Sequence, residues 1–158
     1  MPTPAPYPPL RRAGPSDAPA IAALVNAAYS KWVPILGRKP MPMLVDYGRA
    51  VIDHRIDVIE AAGSLMALVE TFAAPDHLFI ENIAVAPAHQ GQGFGVSLLE
   101  HAEALARESR LDTLRLLTNG LMQANISLYQ RHGYLITHIE ERAPGWTVVH
   151  MSKALGAP

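Results

Sequence analysis

The segment Glu81–Leu99 reads ENIAVAPAHQGQGFGVSLL. An apolar run leads into a loop with glycines at alternate positions, Gly91, Gly93 and Gly95, and a helical pattern starts where the loop ends. The first N–H groups of a helix point out of its N-terminus and the macrodipole adds partial positive charge, so such a junction suits an anion. Glycines let a phosphate approach the backbone with no Cβ in the way. The plainer reading is a tight turn that only joins strand to helix. The spacing is G-x-G-x-G with Val96 in sixth place, so the dinucleotide fingerprint G-x-G-x-x-G is not met. No Gly-Lys-Ser/Thr follows, which excludes a P-loop, and the loop lies mid-chain, whereas a dinucleotide-binding fold opens with its loop. A nucleotide-binding module is therefore disfavoured.

Two polar residues, Glu81 and Asn82, interrupt the apolar strand LFIENIAV. Central strands rarely carry such groups without a partner or a task. Glu81 can orient or deprotonate an amine, directly or through water; it can equally be a buried carboxylate with a structural partner. The seven histidines have no tight ligand spacing, so no metal site is expected. His54 is a weak candidate for lining a substrate pocket. With no cysteine, disulfides, thiolate metal sites and a cysteine acyl-enzyme are excluded.

These residues need elements to hold them. Leu10–Ala13 reads as a short strand, and Ser16 as the N-cap of a helix with Pro19 in its first turn. Ile21, Leu24, Val25 and Ala28 form an apolar helical stripe that fades near Trp32. The prolines and glycine of Val33–Met43 mark a loop, and a short helix is predicted over Leu44–Asp53. The segments 55–61, 64–72 and 77–86 read as strands, with turns at Ala62-Gly63 and Ala74-Pro75-Asp76. A helix is predicted over 93–109, with Leu98, Leu99, Ala102, Leu105 and Ala106 on one face. A strand over 112–118 and a helix over 123–131 follow, the helix ended by Gly133. Strands 134–141 and 146–152 close the chain around Pro144-Gly145. Antiparallel hairpins followed by one strand–helix–strand crossover predict an α/β or α+β sheet with helices on both faces.

The chain has 158 residues, the usual size of one domain. Residues 1–9 read as a loose proline-rich tail with no apolar signal core, and 10–155 as a single domain. A net charge of -1 offers no field that would gather nucleic acid or an anionic membrane. No apolar run approaches a membrane span, so the expected location is the cytoplasm.

Gln90-Gly91-Gln92-Gly93-Phe94-Gly95 resembles the signature Gln/Arg-x-x-Gly-x-Gly/Ala of the GNAT (Gcn5-related N-acetyltransferase) family. The preceding Ile83-Ala84-Val85-Ala86-Pro87 looks like that family's strand ending in V-x-P. The later Leu128-Tyr129-x-x-x-Gly133-Tyr134 is similar to its L-Y-x-x-x-G-F/Y element. The three motifs agree in order and spacing, and the resemblance covers essentially Leu10–Leu155. It implies a mixed, mostly antiparallel sheet of about seven strands with a V-shaped splay between strands 77–86 and 112–118. It also implies acetyl transfer from acetyl-coenzyme A to an amine by direct attack in a ternary complex.

Carried over residue by residue, the resemblance sets the pyrophosphate on the amides of Gly91, Gln92, Gly93, Phe94, Gly95 and Val96, with Gln90 opening the loop. Pantetheine pairs with the backbone around Ile83, Ala84 and Val85, where an N–H also faces the oxyanion; such a donor is typically worth ~3 kcal/mol. Tyr129 matches the general acid; by its pattern alone it is a buried aromatic on an amphipathic helix. Glu81 stands where the family often places its acidic residue. Many members contact the cofactor through an asparagine seven residues before the tyrosine, but that position is Met122 here. Asn125, on the Tyr129 face one turn earlier, either substitutes or caps its helix, and Asn119 is a further candidate. Tyr29, Trp32 and Tyr47 come from the segment that forms the acceptor wall in the family, and Asn82 is a substrate candidate beside Glu81; aromatics at such spacing are also ordinary core.

The acceptor implied first is a small primary amine. A protein N-terminus or lysine is the second enzymatic reading. A non-catalytic domain that binds acyl-coenzyme A is the third, and the intact Tyr129 element speaks against it. A homodimer is compatible with all three.

Overall fold

The computed structural model describes residues 8–156, so residues 1–7 of the proline-rich tail lie outside the described residues. Seven strands follow the order β1-β2-β3-β4-β5-β7-β6 in one sheet. They are β1 (Arg11–Arg12), β2 (Arg55–Ala61), β3 (Ser64–Ala73), β4 (Leu78–Val85), β5 (Thr113–Asn119), β6 (Leu135–Ala143) and β7 (Trp146–Ala154). The helices are α1 (Ala18–Tyr29), α2 (Val33–Leu36), α3 (Tyr47–Asp53), α4 (Phe94–Glu108) and α5 (Gln123–Arg131). The sheet is mixed and mostly antiparallel, as read from the sequence; β4 and β5 are its parallel pair. The chain forms two compact units. One takes in the chain up to Glu70 together with Asn82–Leu98; the other holds Thr71–Glu81 and everything from Leu99 onward.

In the first unit the stripe Ile21, Leu24, Val25 and Ala28 is buried and packs with Tyr47, Ala50 and Val51 of α3, Ile56 and Val58 of β2, Leu68 and Ala84. Fully burying each large aliphatic side chain contributes about 1.5–3 kcal/mol, so the apolar period decides where α1 lies. Ser16 is not the N-cap. It sits inside a 3-10 turn, Pro15–Asp17, that precedes α1. Asp17 holds the N-cap position of α1 without a side-chain cap bond; its carboxylate closes the start of the 3-10 turn instead, accepting from Gly14 N at 2.9 Å, and pairs with Arg11, which holds its pKa down to about 2. The predicted loop 33–43 also needs correcting. Val33–Leu36 forms one helical turn with Pro34 inside its start, and Gly37 ends it at φ 71°; proline tolerates a first turn and glycine a left-handed end. The next helix begins at Tyr47, not Leu44, because Asp46 takes the cap position and accepts from Arg49 N. The β2–β3 turn has Ala62 at φ 52° and Gly63 at φ 78°, the two left-handed residues of a type I′ hairpin.

In the second unit β5 alternates, with Leu114, Leu116 and Thr118 buried and Arg115 and Leu117 exposed. It pairs antiparallel with β7 from Thr113↔Ala154 to Asn119↔Val148. β6 lies outside β7 and carries a register shift between Ile136 and His138. Gly133 closes α5 at φ 88°: its N–H bonds Gln130 O and the next N–H, that of Tyr134, bonds Tyr129 O. This pair of bonds is the glycine end predicted for the helix. The β4–β5 ladder runs from Leu78↔Leu114 to Ile80↔Leu116. Among the described residues no helix is long and apolar enough to cross a membrane.

Candidate active site

After β4 the chain makes a 3-10 turn, Pro87–His89, and enters the glycine loop. Gly91 and Gly93 stand at φ 77° and 89°, in the region where a Cβ is unfavourable. Gly95 is already inside α4. The bond from Ser97 N to Gly93 O opens the helix, so the amides of Gly95 and Val96 precede its first intrahelical bond and point out of the N-terminus. The Phe94 side chain is buried beside His89, ring centroids 5.8 Å apart; only its backbone is a candidate for holding a ligand. Gln92 Nε2 donates to Ala88 O at 3.3 Å within the loop.

Gln90 ties the loop to β4. Its Nε2 donates to Val85 O at 2.9 Å, and its Oε1 accepts from Lys31 Nζ at 2.7 Å. The Ile83 carbonyl accepts from the Tyr29 hydroxyl at 3.0 Å. Both carbonyls thus accept from side chains. The Ala84 side chain lies in the core, leaving only its backbone for a ligand.

Asn82 is 4% exposed and gathers the predicted acceptor residues around it. Its Oδ1 accepts from the Tyr29 hydroxyl at 2.6 Å and its Nδ2 donates to the Tyr47 hydroxyl at 3.2 Å, which in turn donates to Pro42 O at 2.7 Å. Trp32 is buried, with Lys31 Nζ 5.3 Å from its ring. Glu81 is exposed, which rules out the buried, structurally paired carboxylate. His54 Nδ1 lies 2.6 Å from Glu70 Oε2, and Glu70 is 2% exposed.

In the second unit Tyr129 is buried on α5, its ring centroid 6.1 Å from that of Tyr134. Burial pushes its pKa up to about 12. Tyr134 is fully buried, its hydroxyl has no partner among the described residues, and burial and then Glu103 raise its pKa. Asn119 Oδ1 accepts from Leu121 N at 2.9 Å, a local turn. Asn125 does not cap α5; its Nδ2 faces Met122 Sδ at 3.7 Å, and Thr118 Oγ1 faces the same sulfur at 3.9 Å. Met122 precedes the helix and is buried. The departure from the family's asparagine is therefore a sulfur-centred packing site with Asn125 attached.

The family model for the acetyltransferase (GNAT) family matches residues 22–134, from α1 through the Tyr134 motif. The chain belongs to the GNAT acetyltransferase family. No curated protein matches the sequence. Among solved structures, a protein of the GNAT family from Desulfovibrio desulfuricans has a TM-score of 0.79 at 18% identity, covering 94% of this chain and 99% of its own. A GNAT acetyltransferase from Elizabethkingia anophelis, solved with acetyl-CoA bound, has 0.73 at 17%, covering 93% and 97%. The ribosomal-protein-S18-alanine N-acetyltransferase of Escherichia coli has 0.73 at 21%, covering 95% and 95%. At these identities the likeness is one of fold.

Two residues of this GNAT domain escape a reading of the sequence. Glu70 is a carboxylate on the buried face of β3, in SLMALVETFA, and the signal is the same one that marks Asn82: a polar residue inside an apolar strand. Lys31 carries no signal at all, since a lysine beside an aromatic at a helix end is ordinary surface.

Proposed function

We propose that this GNAT enzyme moves the acetyl group of acetyl-coenzyme A to the amine of a small primary-amine substrate, by direct attack with both substrates bound. The observation that carries the reading is the glycine loop. Gly91 and Gly93 hold backbone conformations that side chains disfavour, and they lead into a helix start whose amides point outward. A loop that merely joined strand to helix would not need both; a diphosphate against the amides of Gly91–Val96 gives them a use. Acetyl-coenzyme A, so held, supplies a thioester carbonyl to the attacking amine. The N–H groups of Ile83 and Val85 are the donors for pantetheine and for charge developing on that carbonyl.

Tyr29, Tyr47 and Asn82, joined by hydrogen bonds, shape the acceptor side of the first unit. Glu81, exposed on β4, positions the ammonium or passes its proton to water. Tyr129 donates a hydrogen bond to the departing sulfur. The test is a thiol-release assay with acetyl-coenzyme A against a panel of primary amines and, in parallel, peptides bearing a free N-terminus or lysine. Acceptor-dependent release with an amine supports the reading. Release with peptides alone replaces the acceptor class, and binding without any release makes the domain an acyl-coenzyme A sensor.

A further inference from the structure

A diphosphate is multiply charged, yet residues 81–98 contain no lysine or arginine, and His89 is their one basic side chain. Backbone amides and a helix end supply dipoles rather than a full charge. A cation that touches the loop comes from far away in sequence. Lys31 Nζ donates to Gln90 Oε1 at 2.7 Å, and the Gln90 amide is fixed in turn to Val85 O. The lysine is therefore held by the loop's own first residue.

Its backbone is equally fixed. Lys31 lies in the 3-10 turn Ser30–Trp32. On one side Tyr29 is bonded to Asn82, and on the other Trp32 is buried. Lys31 is exposed and its ammonium makes no ion pair with a carboxylate among the described residues. It has three N–H donors and Gln90 takes one. A positive charge held at a site by a neutral amide, with no carboxylate paired to it among the described residues, is what an anionic ligand would complete.

We propose that Lys31 supplies the cation of the diphosphate site: with Gln90 holding it in place, its ammonium donates to a diphosphate oxygen of the coenzyme. The assignment rests on the acetyl-coenzyme A reading above. It makes Gln90 a positioning residue and gives the turn after α1 a share in cofactor binding as well as in the acceptor wall.

The experiment is calorimetric titration of the full chain with coenzyme A at low and at high salt, for wild type, Lys31→Met and Lys31→Arg. Lys31→Met keeps an unbranched side chain and removes the charge. Its Kd should rise about tenfold at low salt, the scale of one charge-assisted hydrogen bond. The gap should narrow in high salt, where screening shortens to about 3 Å at 1 M, and Lys31→Arg should recover most of the affinity. The same penalty should appear with 3′-dephospho-coenzyme A. An equal Kd for wild type and Lys31→Met overturns the proposal, as does a penalty indifferent to salt. A penalty that vanishes with 3′-dephospho-coenzyme A also overturns it, by moving Lys31 to the 3′-phosphate. If wild type itself fails to bind coenzyme A, the functional reading falls first, an outcome distinct from equal binding by both proteins.

Discussion

The Tyr29 hydroxyl stands 2.6 Å from Asn82 Oδ1 and 3.0 Å from Ile83 O, so one proton is shared between a buried side chain and a backbone carbonyl of the same strand. This bond pins the end of α1 to β4 beside the glycine loop. Tyr29→Phe would leave the Asn82 oxygen, in a residue only 4% exposed, without its donor. A buried acceptor left unsatisfied costs about 1–3 kcal/mol. We expect urea denaturation to show a loss at the lower end of that range, because the partly exposed Tyr29 site admits water. A midpoint unchanged within error would mean that water replaces the hydroxyl at no cost.

The asymmetry between Glu81 and Asn82 shows where the sequence stops being informative. Adjacent strand residues face opposite sides, so one of the two had to point inward. The flanking residues are apolar on both parities: Ile80 and Ala84 on one, Phe79, Ile83 and Val85 on the other. Periodicity therefore could not choose, and tertiary packing did: Ile80 and Ala84 are buried with Asn82, and Glu81 is left outside. The glycine loop was legible because backbone requirements sit in the residue type itself. The α5 helix was legible to the residue, from its stripe and from Gly133. The turn at Val33–Leu36 was not, because prolines that argue for a loop also suit the start of a single helical turn. Glu70 and Lys31 were missed because their roles are set by partners 16 and 59 residues away.

The loop glycines give a paired prediction. Gly93 sits at φ 89°, so Gly93→Val strains the backbone by roughly 1–2 kcal/mol whatever is bound, and in the proposed site it would also fill space that the phosphates need. Gly95 lies within α4, where the family signature accepts alanine and helix propensity favours it by roughly 0.5–1 kcal/mol. Gly95→Ala should keep coenzyme A affinity and raise the melting temperature slightly. Gly93→Val should melt lower and lose tenfold or more in affinity, at least about 1.4 kcal/mol. Unchanged affinity in a folded Gly93→Val protein would remove the loop from the site.

Glu81→Gln should reduce turnover more than coenzyme A affinity. An alkyl ammonium has a pKa near ~10.4, so little free amine exists at neutral pH, and an exposed carboxylate is a weak base for it. The useful roles left are placing the ammonium, read as a higher acceptor KM, and passing its proton through water, read as a lower kcat. General base catalysis typically contributes ~100-fold to ~10,000-fold, and an exposed group should fall at or below the low end. Full activity over the whole pH range would leave Glu81 with no part in the chemistry.

Tyr129→Phe should slow chemistry while leaving coenzyme A binding nearly intact. Burial pushes the Tyr129 hydroxyl up to about 12, so it stays protonated throughout the working range. An ordinary thiol has a pKa near ~8.5. Full proton transfer from this tyrosine to the departing thiolate is then uphill by about 3.5 units, roughly 5 kcal/mol. In the proposed mechanism the hydroxyl would therefore stabilise the sulfur by donating a hydrogen bond as charge builds, without giving the proton away. That places the expected loss near ~100-fold, the low end for an acid catalyst. The pH profile follows from the direction: with burial raising its pKa, Tyr129 stays protonated well above neutral pH, so loss of its proton should not limit kcat near pH 9. Steady-state kinetics on a verified amine, under conditions where chemistry limits the rate, should show the same alkaline behaviour in wild type and Tyr129→Phe, with the variant lower throughout. Equal turnover in the two proteins would assign the sulfur's donor to another group or to water. An alkaline limb near pH 9 that disappears with Tyr129→Phe would show that burial does not hold the proton on this hydroxyl.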